Sequence, residues 1–174
     1  MESFLWIVLS YFIGAIPSGY IIGKVFYHVD LKKTGSGNIG ATNAYRELGV
    51  VAGLSVFICD FLKGFIAVHL GMPDPLIVLA CAIAAIVGND WSIFLHFKSG
   101  KGVACGVGAF AYISAPAVLC AFAVWLLVFK AKHIVSLSSI IAAPVVALVL
   151  LIEGASAEYV IFAALACLLY TSPS

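Results

Sequence analysis

The chain has 174 residues, of which 64% are hydrophobic and 10% charged, with a formal net charge of +1 and a mean hydropathy of +1.17. That balance lies far outside soluble globular usage, and without a long basic run it gives no footing for nucleic acid. At roughly 20 apolar residues per spanning helix the length accommodates about six or seven helices, so function has to sit in short loops and helix ends.

The first apolar segment, Phe4 to Gly23, opens with Glu2 instead of a basic region and reaches the following polar stretch without a cleavage site, which predicts a retained first helix. The polar stretch is Thr34-Gly35-Ser36-Gly37-Asn38-Ile39-Gly40-Ala41-Thr42-Asn43. Glycine permits positive φ and close backbone approach, so successive N–H groups can turn inward and form a nest for an anion. Ser36, Asn38, Thr42 and Asn43 add neutral hydrogen-bonding groups, and Lys32, Lys33 and Arg46 supply positive charge on either side.

The second apolar segment, Val50 to Leu70, contains Asp60 and Lys63, whose spacing puts them on one helix face within pairing reach. Ionisable groups inside a membrane segment are costly, so the pair predicts either a functional site or an ion pair locking two helices. After the turn Gly71-Met72-Pro73-Asp74-Pro75 comes a third segment, Leu76 to Leu95. Lys98-Ser99-Gly100-Lys101-Gly102 then leads into a helix starting near Val103, a second place where lysine and unpaired N–H groups can meet an anion. The remaining segments are Val103 to Ile113, Ala117 to Phe129, Val135 to Ile152 and Tyr159 to Tyr170. The first, second and fourth of these are short for a full span and are expected to be tilted, re-entrant or incomplete. Ser114-Ala115-Pro116 reads as a tight turn.

Alternating the loops across a membrane places Lys24, Lys32, Lys33, Arg46, Lys98, Lys101, Lys130 and Lys132 on one side, and Glu2, Asp74, Glu153 and Glu158 on the other. By the positive-inside rule the basic side is cytoplasmic, the N-terminus outside and the C-terminus inside. The expected fold is therefore an all-α integral membrane protein, residues 1–174 forming one multi-pass domain of about seven transmembrane helices. Six passes follow if Val103 to Phe129 forms one bent unit or the last segment does not cross.

Two motif matches fail on context. Gly35-Ser36-Gly37-Asn38-Ile39-Gly40 fits a dinucleotide fingerprint, but a membrane helix precedes it where a strand is required. His69-Leu70-Gly71-Met72-Pro73-Asp74 has the spacing of an acyltransferase general-base motif but falls on the outer side. Cys59, Cys81, Cys105, Cys120 and Cys167 lack paired spacing and read as small core hydrophobes. No His, Asp or Cys cluster has persuasive metal-ligand spacing. His28, His96 and His133 read as interfacial, and Tyr27, Trp91 and Trp125 as belt aromatics near helix ends.

Gly35 to Asn43 followed by Arg46, Asp60-Phe61-Leu62-Lys63-Gly64, and Phe97-Lys98-Ser99-Gly100-Lys101-Gly102-Val103-Ala104 together resemble the bacterial acyl-phosphate-dependent glycerol-3-phosphate acyltransferases. The resemblance covers nearly the whole chain. It implies a seven-helix protein of the bacterial inner membrane with its active site on the cytoplasmic side. It also implies acyl transfer from acyl phosphate to the 1-hydroxyl of sn-glycerol 3-phosphate, forming lysophosphatidic acid without a cofactor or a protein nucleophile. On this resemblance Ser36, Gly37 and Asn38 cradle acyl phosphate, while Thr42, Arg46 and Lys101 steer glycerol phosphate. Gly35, Gly40, Asn43, Lys98, Gly100 and Gly102 complete the phosphate-binding loops, and Asp60, Lys63 and Asn89 orient them. Three departures from the family pattern stand out: Asn89 replaces a histidine, Ser92 a proline and Ser99 a glycine. The family also continues past the last helix into a basic motif with His and Asn, whereas this sequence ends Leu169-Tyr170-Thr171-Ser172-Pro173-Ser174, so a C-terminally truncated member is expected. A transporter of a phosphorylated metabolite and an inactive homologue remain alternatives.

Overall fold

In a bilayer the backbone has no water to bond, so an apolar chain satisfies its N–H and C=O groups within helices. The computed structural model describes residues 2–97 and 99–171, with side chains as far as Ala166, and the regular elements among them are all helical. They are α1 (Glu2–Ala15), α2 (Ser18–Phe26), α3 (Ala41–Leu48), α4 (Val50–Gly71), α5 (Pro75–Asp90), α6 (Val103–Ile113), α7 (Ala115–Lys132), α8 (Val135–Ile152) and α9 (Ala157–Thr171), with a 3₁₀ turn at Ile93–Leu95. Among the described residues five segments are long and apolar enough to cross a membrane: Glu2–Phe26, Val50–Gly71, Pro75–Leu95, Ala115–Lys132 and Val135–Ile152. Val103–Ile113 and Ala157–Ala166 are apolar but shorter. The chain end from Ser172, on which the expected truncation turns, lies outside the described residues, as does Lys98.

The first apolar segment differs from the single helix expected. It breaks between Ala15 and Ser18, because Pro17 has no N–H and its ring drives Ile16 out of helical geometry. The freed carbonyls find new donors: Ser92 Oγ donates to Ala15 O, and Lys63 Nζ donates to Ile16 O at 2.5 Å. The polar stretch is also shorter than expected. Helix α3 starts at Ala41, so Thr42, Asn43 and Arg46 are helical, with Ala44 buried beside Leu31, Ile39 and Val56.

Among the helix pairs that approach at backbone contact are α1 with α5 and α4 with α6. A Cβ on Gly14 would overlap the carbonyl of Ala85, and one on Gly88 the carbonyl of Tyr11, which joins α1 to α5. Gly64 meets the Cys105 carbonyl and Gly108 the Phe61 carbonyl, joining α4 to α6 in the same manner. Small residues let backbones close in where no hydrophobic effect separates protein from lipid. Further along these helices Tyr112 accepts or donates a 2.8 Å hydrogen bond with His69, so α4 and α6 run parallel. A second apolar cluster, with Val78, Phe110, Leu150 and Phe162, packs α5, α6, α8 and α9 together.

The turns follow local chemistry. Asp74 Oδ1 accepts from Leu76 N at 2.9 Å and caps α5, while Ser114 Oγ accepts from Ala117 N at 3.1 Å and caps α7. Ser114 also donates to Glu153 Oε2 at 2.7 Å, which brings the α6–α7 and α8–α9 turns to one end of the bundle. Cys81 and Cys105 are buried as expected, whereas Cys59 and Cys120 are exposed on the apolar surface. Trp125 is also not at a helix end: it lies within α7 and donates to Ser139 Oγ on α8 at 3.2 Å.

Candidate active site

The loop between α2 and α3 folds on its own hydrogen bonds. Lys33 N donates to Asp30 O at 2.9 Å and Gly37 N to Thr34 O at 3.0 Å, closing two successive turns. Gly35 and Gly37 take φ of +55° and +72°, the left-handed region that side chains disfavour. Asn38 Oδ1 accepts from Gly40 N at 2.7 Å, an Asx turn feeding α3. At the centre sits the buried Asn43 side chain. Its Oδ1 accepts from Ser36 N at 3.0 Å, and its Nδ2 donates to the carbonyls of Leu31 (3.2 Å), Thr34 (3.1 Å) and Asn38 (2.7 Å).

This corrects the expected nest. The N–H groups of Ser36, Gly37 and Gly40 bond within the loop, and Asn43 pins the loop from inside instead of facing an anion. What the loop turns outward is Gly35, the Ser36 hydroxyl, Gly37, Thr42 and Arg46, all exposed, with Asn38 partly so. The groups available to a phosphate here are therefore chiefly hydroxyls and a guanidinium, whose fork suits phosphate oxygens.

The second loop, residues 91–102, is fixed from below. Gly100 N donates to Asn89 O at 3.1 Å, and Gly102, buried at φ +60°, opens α6. Lys101 is exposed beside them. One oxygen of Asp90, Oδ1, is buried without a hydrogen-bond partner among the described residues, 2.8 Å from where a Cβ on Gly102 would stand. The chain rule that intramembrane carboxylates are costly singled out Asp60 and passed over Asp90, which the same rule would have found.

Both loops hang on one buried polar node. Lys63 Nζ donates to Asp60 Oδ1 at 2.6 Å, to Ser18 Oγ at 2.7 Å, to Ile16 O, and more distantly to Asn89 Oδ1 at 3.5 Å. Ser18 Oγ donates in turn to Asp60 Oδ1. Asp60 and Lys63 are each 6% exposed, so a charge pair that would be prohibitive alone is neutralised and hydrogen-bonded. From the node one path runs through Gly19, packed against the Ile39 carbonyl, to the first loop. The other runs through Asn89 to Gly100 and Lys101. Lys32 Nζ closes the circuit by donating to Leu95 O at 3.4 Å.

Sequence reasoning missed Ser18, whose signal was a Pro-Ser-Gly run inside an apolar segment that averaged hydropathy conceals, and it named Lys32 and Ser92 without joining them to this assembly. The decoy motif resolves simply, since His69 bonds Tyr112 and Asp74 caps α5. Among the described residues no group of three or more His, Cys, Asp or Glu could hold a metal ion.

Fold and site together define a multi-pass helical membrane protein whose polar chemistry is gathered on two loops at one end of the bundle. The sequence pattern of the glycerol-3-phosphate acyltransferases matches residues 4–172, and the chain belongs to that family. It is 42% identical over 160 residues to glycerol-3-phosphate acyltransferase 2 of Moorella thermoacetica, covering 91% of this chain and 82% of that one. It is 45% identical over 139 residues to the glycerol-3-phosphate acyltransferase of Lacticaseibacillus casei, covering 78% of this chain and 67% of the relative. Its structure is similar to the crystal structure of PlsY, an integral membrane glycerol 3-phosphate acyltransferase, in the glycerol 3-phosphate form. That match has a TM-score of 0.89 at 35% identity and covers 98% of this chain and 86% of the other. The lysophosphatidic acid form of PlsY matches with a TM-score of 0.88 at 34% identity.

Proposed function

We propose that this protein transfers an acyl group from acyl phosphate to the 1-hydroxyl of sn-glycerol 3-phosphate, forming lysophosphatidic acid for phospholipid synthesis. The observation that carries this reading is the union of the two loops through the Ser18, Asp60, Lys63 and Asn89 node, in a chain of the glycerol-3-phosphate acyltransferase family.

In this reading the acceptor hydroxyl oxygen attacks the acyl carbonyl carbon. A new C–O ester bond forms, the bond from that carbon to the phosphate oxygen breaks, and inorganic phosphate leaves with the hydroxyl proton. Acyl phosphate is already activated, so the protein's task is alignment and charge balance. The Ser36 hydroxyl and the Asn38 side chain hold the donor phosphate, with Gly35, Gly37 and Gly40 giving the loop its path. Thr42, Arg46, Lys98 and Lys101 steer the acceptor phosphate, with Gly100 and Gly102 shaping the second loop. Asp60, Lys63, Asn43 and Asn89 position both loops and touch neither substrate.

We place the site at the cytoplasmic face of a bacterial inner membrane, with one multi-pass domain of seven apolar segments, the N-terminus outside and the C-terminus inside. The basic residues of the site-bearing loops support this through the positive-inside rule. A transport role for Asp60 and Lys63 is less well supported, because both are already bonded within the protein.

Incubating the purified protein with palmitoyl phosphate and radiolabelled glycerol 3-phosphate tests the reading. Labelled lysophosphatidic acid is expected from the wild type, with strong losses in Arg46→Ala and Lys101→Ala. No product from the wild type, or undiminished product from both variants, would sink it.

A further inference from the structure

The turn that carries the chain from α5 into the second loop is held in a conformation its own residues disfavour. His96 and Phe97 follow one another at φ of +55° and +60°, the left-handed region in which a Cβ crowds the following carbonyl, and neither is glycine. Packing does not hold them there, since both side chains are exposed. Two backbone bonds do. Leu95 N donates to Ser92 O at 3.1 Å and Phe97 N donates to the same oxygen at 2.9 Å, closing the turn on a single carbonyl. Left-handed residues of this kind persist only where their surroundings over-determine them, and they gather at functional sites.

That carbonyl is fixed from α1. Ser92 is fully buried, and its hydroxyl donates to Ala15 O, 77 residues earlier, at the break before Pro17. One position before Ser92, Trp91 O accepts from the Tyr11 hydroxyl at 2.9 Å, so the start of the loop is tied to α1 at two points one helical turn apart. The far end is tied to α5, where Gly100 N donates to Asn89 O at 3.1 Å, and Lys101 follows directly. The strained turn lies between these anchors and sets the path of the chain from Ser92 to Lys101. The backbone of Ser92, at φ −65° and ψ 124°, suits almost any residue, so what the position uses is the hydroxyl.

We infer that Ser92 is a positioning residue for the acceptor phosphate: it holds the His96–Phe97 turn in its strained form, and that turn presents Lys101 to glycerol 3-phosphate. Ser92 itself touches no substrate. Without its hydroxyl bond the carbonyl loses its fixed point, the turn relaxes towards ordinary φ, and Lys101 moves off the phosphate. The loss falls on the acceptor and not on the donor, whose phosphate the α2–α3 loop holds. This role rests on the acyl-transfer reading for the identity of the ligand, whereas binding of that ligand is measurable without turnover.

The test combines calorimetric titration of glycerol 3-phosphate with steady-state transfer from palmitoyl phosphate, using the full-length protein in maltoside micelles. Ser92→Ala is expected to raise the Kd and KM for glycerol 3-phosphate about tenfold, the part of a charged hydrogen bond that a displaced ammonium gives up, with the KM for palmitoyl phosphate in place. Ser92→Thr keeps the hydroxyl and is expected to keep both glycerol 3-phosphate constants, even though its added methyl lowers the unfolding midpoint. Tyr11→Phe removes the neighbouring bond and is expected to shift the same two constants in the same direction by about threefold. Glycine takes the left-handed region without strain, so His96→Gly with Phe97→Gly is expected to recover most of the loss in the Ser92→Ala background. Unchanged constants in Ser92→Ala, a tenfold loss in Ser92→Thr as well, an equal rise in the KM for palmitoyl phosphate, or no recovery with the two glycines overturns the positioning role. Where Ser92→Ala does not fold, unchanged constants in Tyr11→Phe overturn it. Calorimetric shifts as expected, with no lysophosphatidic acid made by the wild type, overturn the acyl-transfer reading and leave Ser92 positioning a phosphate site.

Discussion

The Lys63 ammonium donates to the carbonyl of Ile16, which sits in the break at Pro17 and also accepts from Ser18 N at 3.0 Å. The break in the first segment and the buried charge in α4 are therefore one device. The break exposes an acceptor inside the membrane, the lysine satisfies it, and Asp60 balances the charge. Removing either member leaves the other's charge buried and uncompensated, a change that costs about 3–5 kcal/mol for a buried pair. Lys63→Met alone and Asp60→Leu alone are expected to lower unfolding stability in detergent by that order, and the double variant by less than their sum. Additive losses in a double-mutant cycle would show that the two residues do not act together.

Asn43 does for the first loop what Lys63 does for the helices. Its side chain joins four backbone groups from Leu31 to Asn38. A buried hydrogen bond contributes about 0.5–1.5 kcal/mol, and orphaned acceptors add to the loss. Asn43→Ala is expected to lower stability by about 2 kcal/mol and to reduce kcat/KM for glycerol 3-phosphate by more than tenfold, because Ser36, Thr42 and Arg46 lose their common frame. Activity equal to wild type would show that the loop keeps its shape without the pin.

Most of the architecture was legible because it depends on composition alone. Apolar run lengths located the segments, and the eleven residues of α6 were short in the sequence as they are in the structure. The loop chemistry was legible in residue type but not in direction. Ser36, Gly37 and Gly40 supplied donors, yet Ser36 N meets the side chain of Asn43, 7 positions on and on a helix, while Gly40 N and Gly37 N meet Asn38 Oδ1 and Thr34 O within the loop. The broken first segment was obscured for a related reason. Pro17 marks a break, but whether the membrane tolerates it depends on donors from Lys63 and Ser92, which sequence distance hides.

The reciprocal glycines of α4 and α6 predict a second kind of sensitivity. A methyl at position 108 has to displace the backbone of Phe61, the residue next to Asp60, so helix separation and node geometry change together. Overpacking of this sort costs about 1–3 kcal/mol. Gly108→Ala is expected to lower the midpoint of thermal unfolding and also to reduce turnover. A variant that loses stability while keeping full kcat/KM would uncouple the packing from the site.

Arg46 separates charge from shape. It is exposed on the last turn of α3, where its interaction with the helix terminus contributes about 0.3–1 kcal/mol and no buried contact depends on it. Its substitutions should therefore leave stability nearly unchanged and act on substrate. A guanidinium presents two parallel donors to a phosphate, while an ammonium presents a point charge. Hydrogen bonds to charged groups contribute about 1.5–3 kcal/mol, which at 1.4 kcal/mol per decade is about 10- to 100-fold in affinity. Arg46→Lys is expected to raise the KM for glycerol 3-phosphate about tenfold, and Arg46→Ala further, with matching unfolding curves for all three proteins. If Arg46→Lys behaves as wild type while Arg46→Ala does not, the residue contributes field and not fork geometry; if both behave as wild type, the acceptor phosphate lies elsewhere.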